Sequence, residues 1–200
     1  MNGVPAAMSA AIPLATPMLD PPVAPRDHAA GPAGARVTLV EYADFECPSC
    51  GAAHGVIQAV CRAFGDNLRL VFRHFPLRDS HPHALEAARA AEAAAEQGQF
   101  WPMHDRLFER QHALEPEDLA RYARKLDLDV VRWTRVMALA STEERVLADL
   151  ASGRRSGVRG TPTLFINGAR YDGRLERGPL IDALARAALA AREPGPGRQS

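Results

Sequence analysis

The chain has 200 residues, which suits one domain or one domain carrying an insertion, and 46% of them are hydrophobic, as in an ordinary globular protein. Lysine plus arginine balances aspartate plus glutamate at 24 each, so no basic field favours nucleic acid and no acidic field favours cations. No apolar run approaches the roughly 20 residues that a membrane-spanning helix needs.

The first 35 residues carry seven prolines and no periodic apolar pattern, which predicts a disordered lead-in over residues 1–35. A secretory signal begins with basic residues and continues with an unbroken apolar stretch. Here the first basic residue is Arg26, and Pro5 and Pro13 interrupt the apolar stretch. We therefore expect a cytoplasmic protein, with an extracytoplasmic location left open if the chain start is misassigned.

A strand–helix–strand unit follows. Residues 37–42 are β-branched and apolar and predict a buried strand, and residues 68–75 predict a second one. Between them, a short loop leads to Cys47, Pro48 occupies a favoured first helical position, and Gly65 ends the helical spacing of apolar residues. Such a unit predicts a parallel strand pair with a right-handed crossover.

The middle of the chain predicts helices only, because no strand signal interrupts residues 80–156. Residues 141–144 have the composition of a capping box at a helix start. Residues 163–166 then predict a strand, Asn167-Gly168 a two-residue hairpin turn, and residues 179–191 a final helix.

The pair Cys47 and Cys50 is the strongest chemical signal in the sequence. A C-x-x-C motif beside a strand–helix–strand pattern is typical of a redox site. A thiol at a helix N-terminus faces unpaired N–H groups and the positive end of the helix dipole, and both favour the thiolate. We predict that Cys47 is the exposed nucleophile and that Cys50, one turn further along, resolves the mixed disulfide.

Zinc binding is the alternative interpretation, because Cys47, Cys50 and His54 offer three ligands at one helix end. A structural zinc site needs a fourth ligand, usually from a second pair. The third cysteine, Cys61, lies about 16 Å from Cys50 by helical rise and fits a small core residue better than a ligand. We therefore expect no metal at the cysteines, and packing or capping roles for the other histidines.

Several segments together resemble one family. Residues 40–51, which contain the cysteines, look like the active-site segment of DsbA-like thioredoxin-fold proteins. Residues 27–32, 72–84 and 100–105 resemble other segments of that family, and residues 157–163 look like its cis-proline loop. The resemblance implies an α/β thioredoxin-like fold with a helical insertion before the cis-proline strand.

That fold divides the chain into a succession of parts. We expect a disordered lead-in over residues 1–35 and the first part of the thioredoxin domain over residues 36–78. A helical insertion over residues 79–157 follows, then the second part of the domain over residues 158–191 and a disordered tail over residues 192–200.

The resemblance also implies roles for individual residues. Pro162 is expected to be cis and to face the cysteines, and Thr161 is expected to pair with the substrate backbone, with Pro48 and Ser49 beside them. Glu41 matches the buried acid that thioredoxin-like enzymes place beneath their cysteines, where a raised pKa lets it exchange a proton with Cys50. Strand alternation alone does not decide whether the Glu41 side chain is buried or exposed.

These observations predict a DsbA-like thiol–disulfide oxidoreductase that needs no cofactor and whose redox-active centre is the Cys47–Cys50 pair. Its expected partners are protein or small-molecule thiols and disulfides, glutathione among them, and a redox partner that recycles it. The direction of electron flow stays open. The alternatives are a glutathione-linked isomerase or transferase of related fold and a non-enzymatic zinc or binding module.

Overall fold

The structure, a computed structural model, describes residues 17–191 and contains one mixed five-stranded sheet. The strands lie in the order β1-β3-β2-β4-β5, and only β2 and β3 pair in parallel. Their bounds are β1 His28–Ala30, β2 Val37–Ala43, β3 Leu68–His74, β4 Thr163–Ile166 and β5 Ala169–Tyr171.

Seven α-helices surround this sheet, and five of them lie between β3 and β4 in the chain. Their bounds are α1 Pro48–Phe64, α2 Ala84–Ala95, α3 Phe100–Glu109, α4 Pro116–Lys125, α5 Val130–Met137, α6 Ala140–Arg155 and α7 Arg177–Ala190. The predicted α/β thioredoxin-like fold with a helical insertion before the cis-proline strand is confirmed.

The β2–α1–β3 unit forms as the apolar pattern predicts. Val37 lies opposite Leu68 in the parallel register, and Ala43 opposite His74 at the other end. Both strands are almost wholly buried, which explains their continuous apolar sequence. The hairpin after β4 also forms as predicted, with Asn167 at φ 49° and Gly168 at φ 86°, both in the left-handed region that this turn requires.

Helix α2 is the centre of the five-helix region because its alanines let neighbouring backbones approach closely. Trp133 of α5 packs against it and donates a hydrogen bond from its indole to the carbonyl of Ala90, at 3.0 Å. Most of the alanines of α2 are buried, namely Ala84, Ala87, Ala88, Ala90, Ala91, Ala93 and Ala94.

The predicted capping box at residues 141–144 is wrong. Helix α6 begins at Ala140 with Leu139 as its N-cap, and no side chain caps it. The Thr142 hydroxyl instead donates to the carbonyl of Val136 at the end of α5, at 2.6 Å, so it joins two consecutive helices. The composition was right for a cap, but the tight α5–α6 connection starts the helix earlier.

The lead-in predicted to be disordered over residues 1–35 is ordered from residue 17 onward, whereas residues 1–16 and the predicted tail 192–200 lie outside the described residues. Met18 forms a bridge with Ala169 of β5, and His28–Ala30 pairs with β3 as an edge strand. A buried ion pair explains the order of this segment, because it joins Asp27 to Arg73 of β3.

Arg73 is 1% exposed, and all five of its guanidinium N–H donors have acceptors. Two reach the Asp27 carboxylate, at 3.0 and 2.9 Å, and a third reaches the Tyr42 hydroxyl at 2.8 Å. The last two reach the carbonyls of Pro21 and Pro22 at 3.0 and 3.1 Å. The N-terminal segment therefore satisfies a charge that β3 would otherwise bury without a partner.

We expect Asp27→Asn to lower the free energy of unfolding by about 3–5 kcal/mol, because it leaves the Arg73 guanidinium buried without its anion. Urea unfolding followed by circular dichroism measures this change. Asp172→Asn is the matched control, since Asp172 pairs with Arg170 at the surface and its loss should cost about 1 kcal/mol or less. Equal effects of the two substitutions would contradict the anchoring role of Asp27.

Candidate active site

The carboxyl end of β2 delivers the cysteine pair to the start of α1. Cys47 is the N-cap residue of this helix and Pro48 is its first residue, as the sequence predicts. The backbone N–H groups of Cys50 and Gly51 both donate to the Cys47 carbonyl, at 3.0 and 3.1 Å. The two cysteines therefore lie on consecutive positions of one helical turn, both with free thiols.

Cys47 is not the exposed thiol that we predicted, since it is only 6% exposed. The loop before β4 covers it, and the Cys47 sulfur lies 3.5 Å from the carbonyl oxygen of Thr161. Cys50 is fully buried, and its burial and the nearby charge of Glu41 raise the pKa of its thiol far above its usual range. The two thiols thus differ in surroundings, since Cys47 contacts the loop before β4 and Cys50 is fully buried near Glu41.

The loop that covers Cys47 contains the predicted cis-proline, and the Thr161–Pro162 peptide bond is cis in the structure. Thr161, Pro162 and Ser49 line an open groove of about 460 Å³. Leu164, Tyr171 and Leu175 also line it. Pro48 starts α1 and does not line this groove, so the structure brings together three of the four residues predicted to contact substrate.

Glu41 is buried on β2, which resolves the alternative that strand alternation left open. It is 2% exposed, and its burial raises the pKa of the carboxyl group to about 8. Its Oε1 atom has no hydrogen-bond partner among the described residues. Because the charge of Glu41 also raises the pKa of Cys50, the two groups are electrostatically coupled, as the predicted proton exchange requires.

Asp44 organises the loop between β2 and α1, a role that the sequence analysis did not identify. Its buried carboxylate accepts hydrogen bonds from the backbone N–H of Glu46 and of Leu77, both at 2.8 Å. It also lies 2.7 Å from the Nδ1 atom of His81. Asp44 therefore ties the loop that carries Cys47 to the loop that follows β3.

Gln111 fixes the same loop from the helical region, a role that the sequence analysis did not identify. It lies just beyond the end of α3, and its amide nitrogen donates to the carbonyls of Phe45 and Cys47, each at 2.8 Å. A Cβ atom on Gly51 would lie 2.0 Å from the Oε1 atom of Gln111, so a side chain at that position would displace the Gln111 amide.

The histidine offered as a third zinc ligand does not join the cysteines. The Nε2 atom of His54 lies 3.7 Å from an oxygen of Asp105, and its ring stacks on Phe108. Within residues 17–191, the side chains arranged to hold a metal ion form two other groups, and neither includes Cys47 or Cys50. Cys61 is half-buried against the core, and its burial raises the pKa of its thiol to about 11.

Comparison with known proteins shows the family. The family model described as Thioredoxin matches residues 24–183. The crystal structure of a thioredoxin-like oxidoreductase from Silicibacter pomeroyi DSS-3 is 30% identical with a TM-score of 0.74, and the match covers 82% of this chain and 93% of that one. BdbD from Bacillus subtilis, in its oxidised form, has a TM-score of 0.74 at 20% identity, covers 82% and 93% of the two chains, and supports the fold alone.

Curated relatives are named as antiporters and not as oxidoreductases. A protein of Salinispora tropica named Na⁺/H⁺ antiporter NhaA 3 is 48% identical over 171 residues, which is 85% of this chain and 26% of the relative. Na⁺/H⁺ antiporter NhaA of Herminiimonas arsenicoxydans is 51% identical over 157 residues, 78% and 25% of the two. The chain spans about a quarter of the length of these relatives, so the activity named for them is not carried over to it.

The expectation that the protein is cytoplasmic is not supported, because the curated relatives that share about half of the matched residues are named as Na⁺/H⁺ antiporters. Between residues 17 and 191, the structure has no helix with the length and apolar character needed to cross a membrane.

Glu41→Gln should make the protein more stable at alkaline pH. A carboxyl group with a folded-state pKa near 8 and an ordinary pKa of 4.5 loses stabilisation as the pH rises between these values, because the unfolded chain releases its proton first. The neutral amide has no such loss, so its advantage should grow from pH 5 to pH 9 by about 4 kcal/mol. Urea unfolding of the reduced protein at each pH measures it.

The control for this substitution is Glu144→Gln, which changes an exposed carboxyl group on α6. The free energy of unfolding of this variant should change with pH in the same way as that of the wild-type protein. If the free energy of unfolding of the wild-type protein does not fall relative to that of Glu41→Gln between pH 5 and pH 9, Glu41 ionises in the folded protein without destabilising it.

Gln111→Leu should loosen the loop that carries Cys47, because two carbonyl groups lose their shared donor. We expect a loss of about 1–3 kcal/mol in unfolding free energy and faster alkylation of Cys47 by iodoacetamide. Gln97→Leu is the matched control, since Gln97 makes two hydrogen bonds with Asp129 at the surface. Unchanged alkylation of Cys47 in Gln111→Leu would mean that the loop is held without Gln111.

Proposed function

This chain belongs to the thioredoxin family of oxidoreductases and has a DsbA-like fold, and from that premise we propose that it exchanges disulfides through Cys47 and Cys50. The observation that carries the proposal is the contact between the Cys47 sulfur and the Thr161 carbonyl at the edge of an open groove. A substrate lying in this groove has its sulfur beside Cys47 and its backbone beside Thr161.

The first step uses Cys47. Its thiolate attacks one sulfur of the substrate disulfide, a Cys47–substrate bond forms, and the second substrate sulfur leaves as a thiolate. The N-terminal end of α1 favours the negative charge that Cys47 carries before the attack. Cys47 is almost covered by Thr161, so a small opening of this contact must accompany the entry of the substrate.

The second step uses Cys50 and Glu41. Cys50 must lose its proton before it attacks the Cys47 sulfur, and the pKa of its buried thiol lies far above its usual range. The Glu41 carboxylate accepts this proton, and its own pKa of about 8 suits proton exchange near neutral pH. A Cys47–Cys50 bond forms and the substrate sulfur leaves as a thiolate, so the substrate is reduced and the protein is oxidised.

The same steps in reverse oxidise a substrate dithiol and leave the protein reduced. Either direction needs a second thiol or disulfide partner that restores the starting state of the cysteines. We propose proteins with exposed thiols or disulfides as substrates, because the groove is open and offers the backbone of Thr161 to an extended chain. Glutathione, with a single sulfur and a short backbone, is the small-molecule substrate to compare with them.

Cys50→Ser should trap mixed disulfides on Cys47, because the resolving thiol is absent and the first intermediate accumulates. Mass spectrometry after incubation with a disulfide-bonded peptide, and separately with oxidised glutathione, identifies the adduct and its site. Cys47→Ser should trap neither substrate. Cys61→Ser is the control, since Cys61 is half-buried with a raised pKa, and this variant should react like the wild-type protein. Adducts that form on Cys50 or Cys61 instead would overturn the assignment of Cys47 as nucleophile.

A further inference from the structure

Two groups of metal-ligating side chains lie outside the cysteine site within the described residues. Each contains two histidines and one carboxylate. The first consists of His28, His74 and Glu92, and the second of His54, His104 and Asp105. Their hydrogen bonding differs, and this difference decides which of them is suited to a metal ion.

In the first group, the ligand atoms that face one another already share hydrogen bonds, although Nδ1 of the buried His74 has no partner among the described residues. The Nε2 atoms of His28 and His74 each lie 2.9 Å from the same oxygen of Glu92. Burial raises the pKa of Glu92, but these two hydrogen bonds outweigh that effect and hold the pKa far below its usual range. The Arg145 guanidinium lies 3.9 Å from that oxygen, so a metal ion would displace two good hydrogen bonds and meet a positive charge.

The second group has a free ligand atom. His54 comes from α1, and His104 and Asp105 come from α3. The Asp105 carboxylate oxygen lies 2.9 Å from Nδ1 of His104 and 3.7 Å from Nε2 of His54. That His54 nitrogen is buried and has no hydrogen-bond partner in the part of the chain that the structure describes. A buried polar atom without a partner is costly, and a bound cation would satisfy it.

We propose that His54, His104 and Asp105 bind a divalent transition-metal ion of the zinc type. Zinc binds imidazole nitrogen and carboxylate oxygen at about 2.0–2.2 Å, so ligand atoms around a tetrahedral ion lie roughly 3.3 Å apart. The two separations from Asp105, 2.9 and 3.7 Å, lie on either side of that value. The third separation, between the ligand nitrogens of His54 and His104, is no more than 4.8 Å, so side-chain shifts would bring all three atoms to one ion.

The remaining coordination position is open to water. Asp105 is 43% exposed, so the group lies at the surface on one side and against the buried His104 on the other. Three protein ligands plus one water is a common arrangement for zinc. The site would join α1, which carries the cysteines at its start, to α3 of the inserted helices.

The test must remove the cysteines from competition, because thiolates also bind zinc. We would therefore titrate Zn²⁺ into the full chain carrying Cys47→Ser and Cys50→Ser, using isothermal titration calorimetry. We expect one ion per chain, with at least about tenfold weaker binding after His54→Gln or Asp105→Asn. His112→Gln is the matched control, since His112 is exposed and outside both groups, and should bind as the parent does.

Cobalt substitution gives a second measurement. Co²⁺ bound to the parent should show the visible absorption of a four-coordinate ion, and Asp105→Asn, which keeps the size of a half-exposed side chain, should lose it. The proposal would be overturned if the parent showed no saturable Zn²⁺ binding, or if His54→Gln and Asp105→Asn bound Zn²⁺ as tightly as the parent. Since the cysteines are replaced throughout, neither result depends on the proposed disulfide exchange.

Discussion

The buried parallel pairing of β2 with β3 is the constraint on which the candidate active site depends. It places Ala43 beside His74, so the loops that leave both strands start from the same edge of the sheet. Asp44 joins these loops through hydrogen bonds with the backbone of Leu77 and the ring of His81. At the end of β3, Arg73 binds the N-terminal segment, while His74 binds Glu92 of α2 on the opposite face.

The chemistry of the site depends on groups that burial makes costly. An acid without a full set of hydrogen bonds and a thiol at 0% exposure both favour their neutral forms in this core. Burial therefore holds the pKa of the Glu41 carboxyl group at about 8, and the charge of Glu41 adds to the effect of burial on the Cys50 thiol.

Local patterns in the sequence were enough to locate the elements around the site. Strands β2 and β3 follow short, largely apolar runs, and helix α1 follows an apolar spacing of three to four residues. The position of Cys47 at a helix start depends on Pro48 immediately after it, and the hairpin depends on the adjacent pair Asn167-Gly168. Each of these features depends on neighbours within about one helical turn, which is the range that a sequence pattern records.

Long-range contacts decided the rest. The order of the N-terminal segment depends on Asp27 and Arg73, which are 46 residues apart, and the burial of Cys47 depends on Thr161, which is 114 residues away. Gln111 reaches the cysteine loop across 64 residues. The sequence by itself therefore determined the central strands β2, β3 and β4 and which sulfur begins α1, but not the edge strand β1. Only the tertiary structure decided which groups are buried and paired, because burial is set by residues that meet through folding and not through adjacency in the chain.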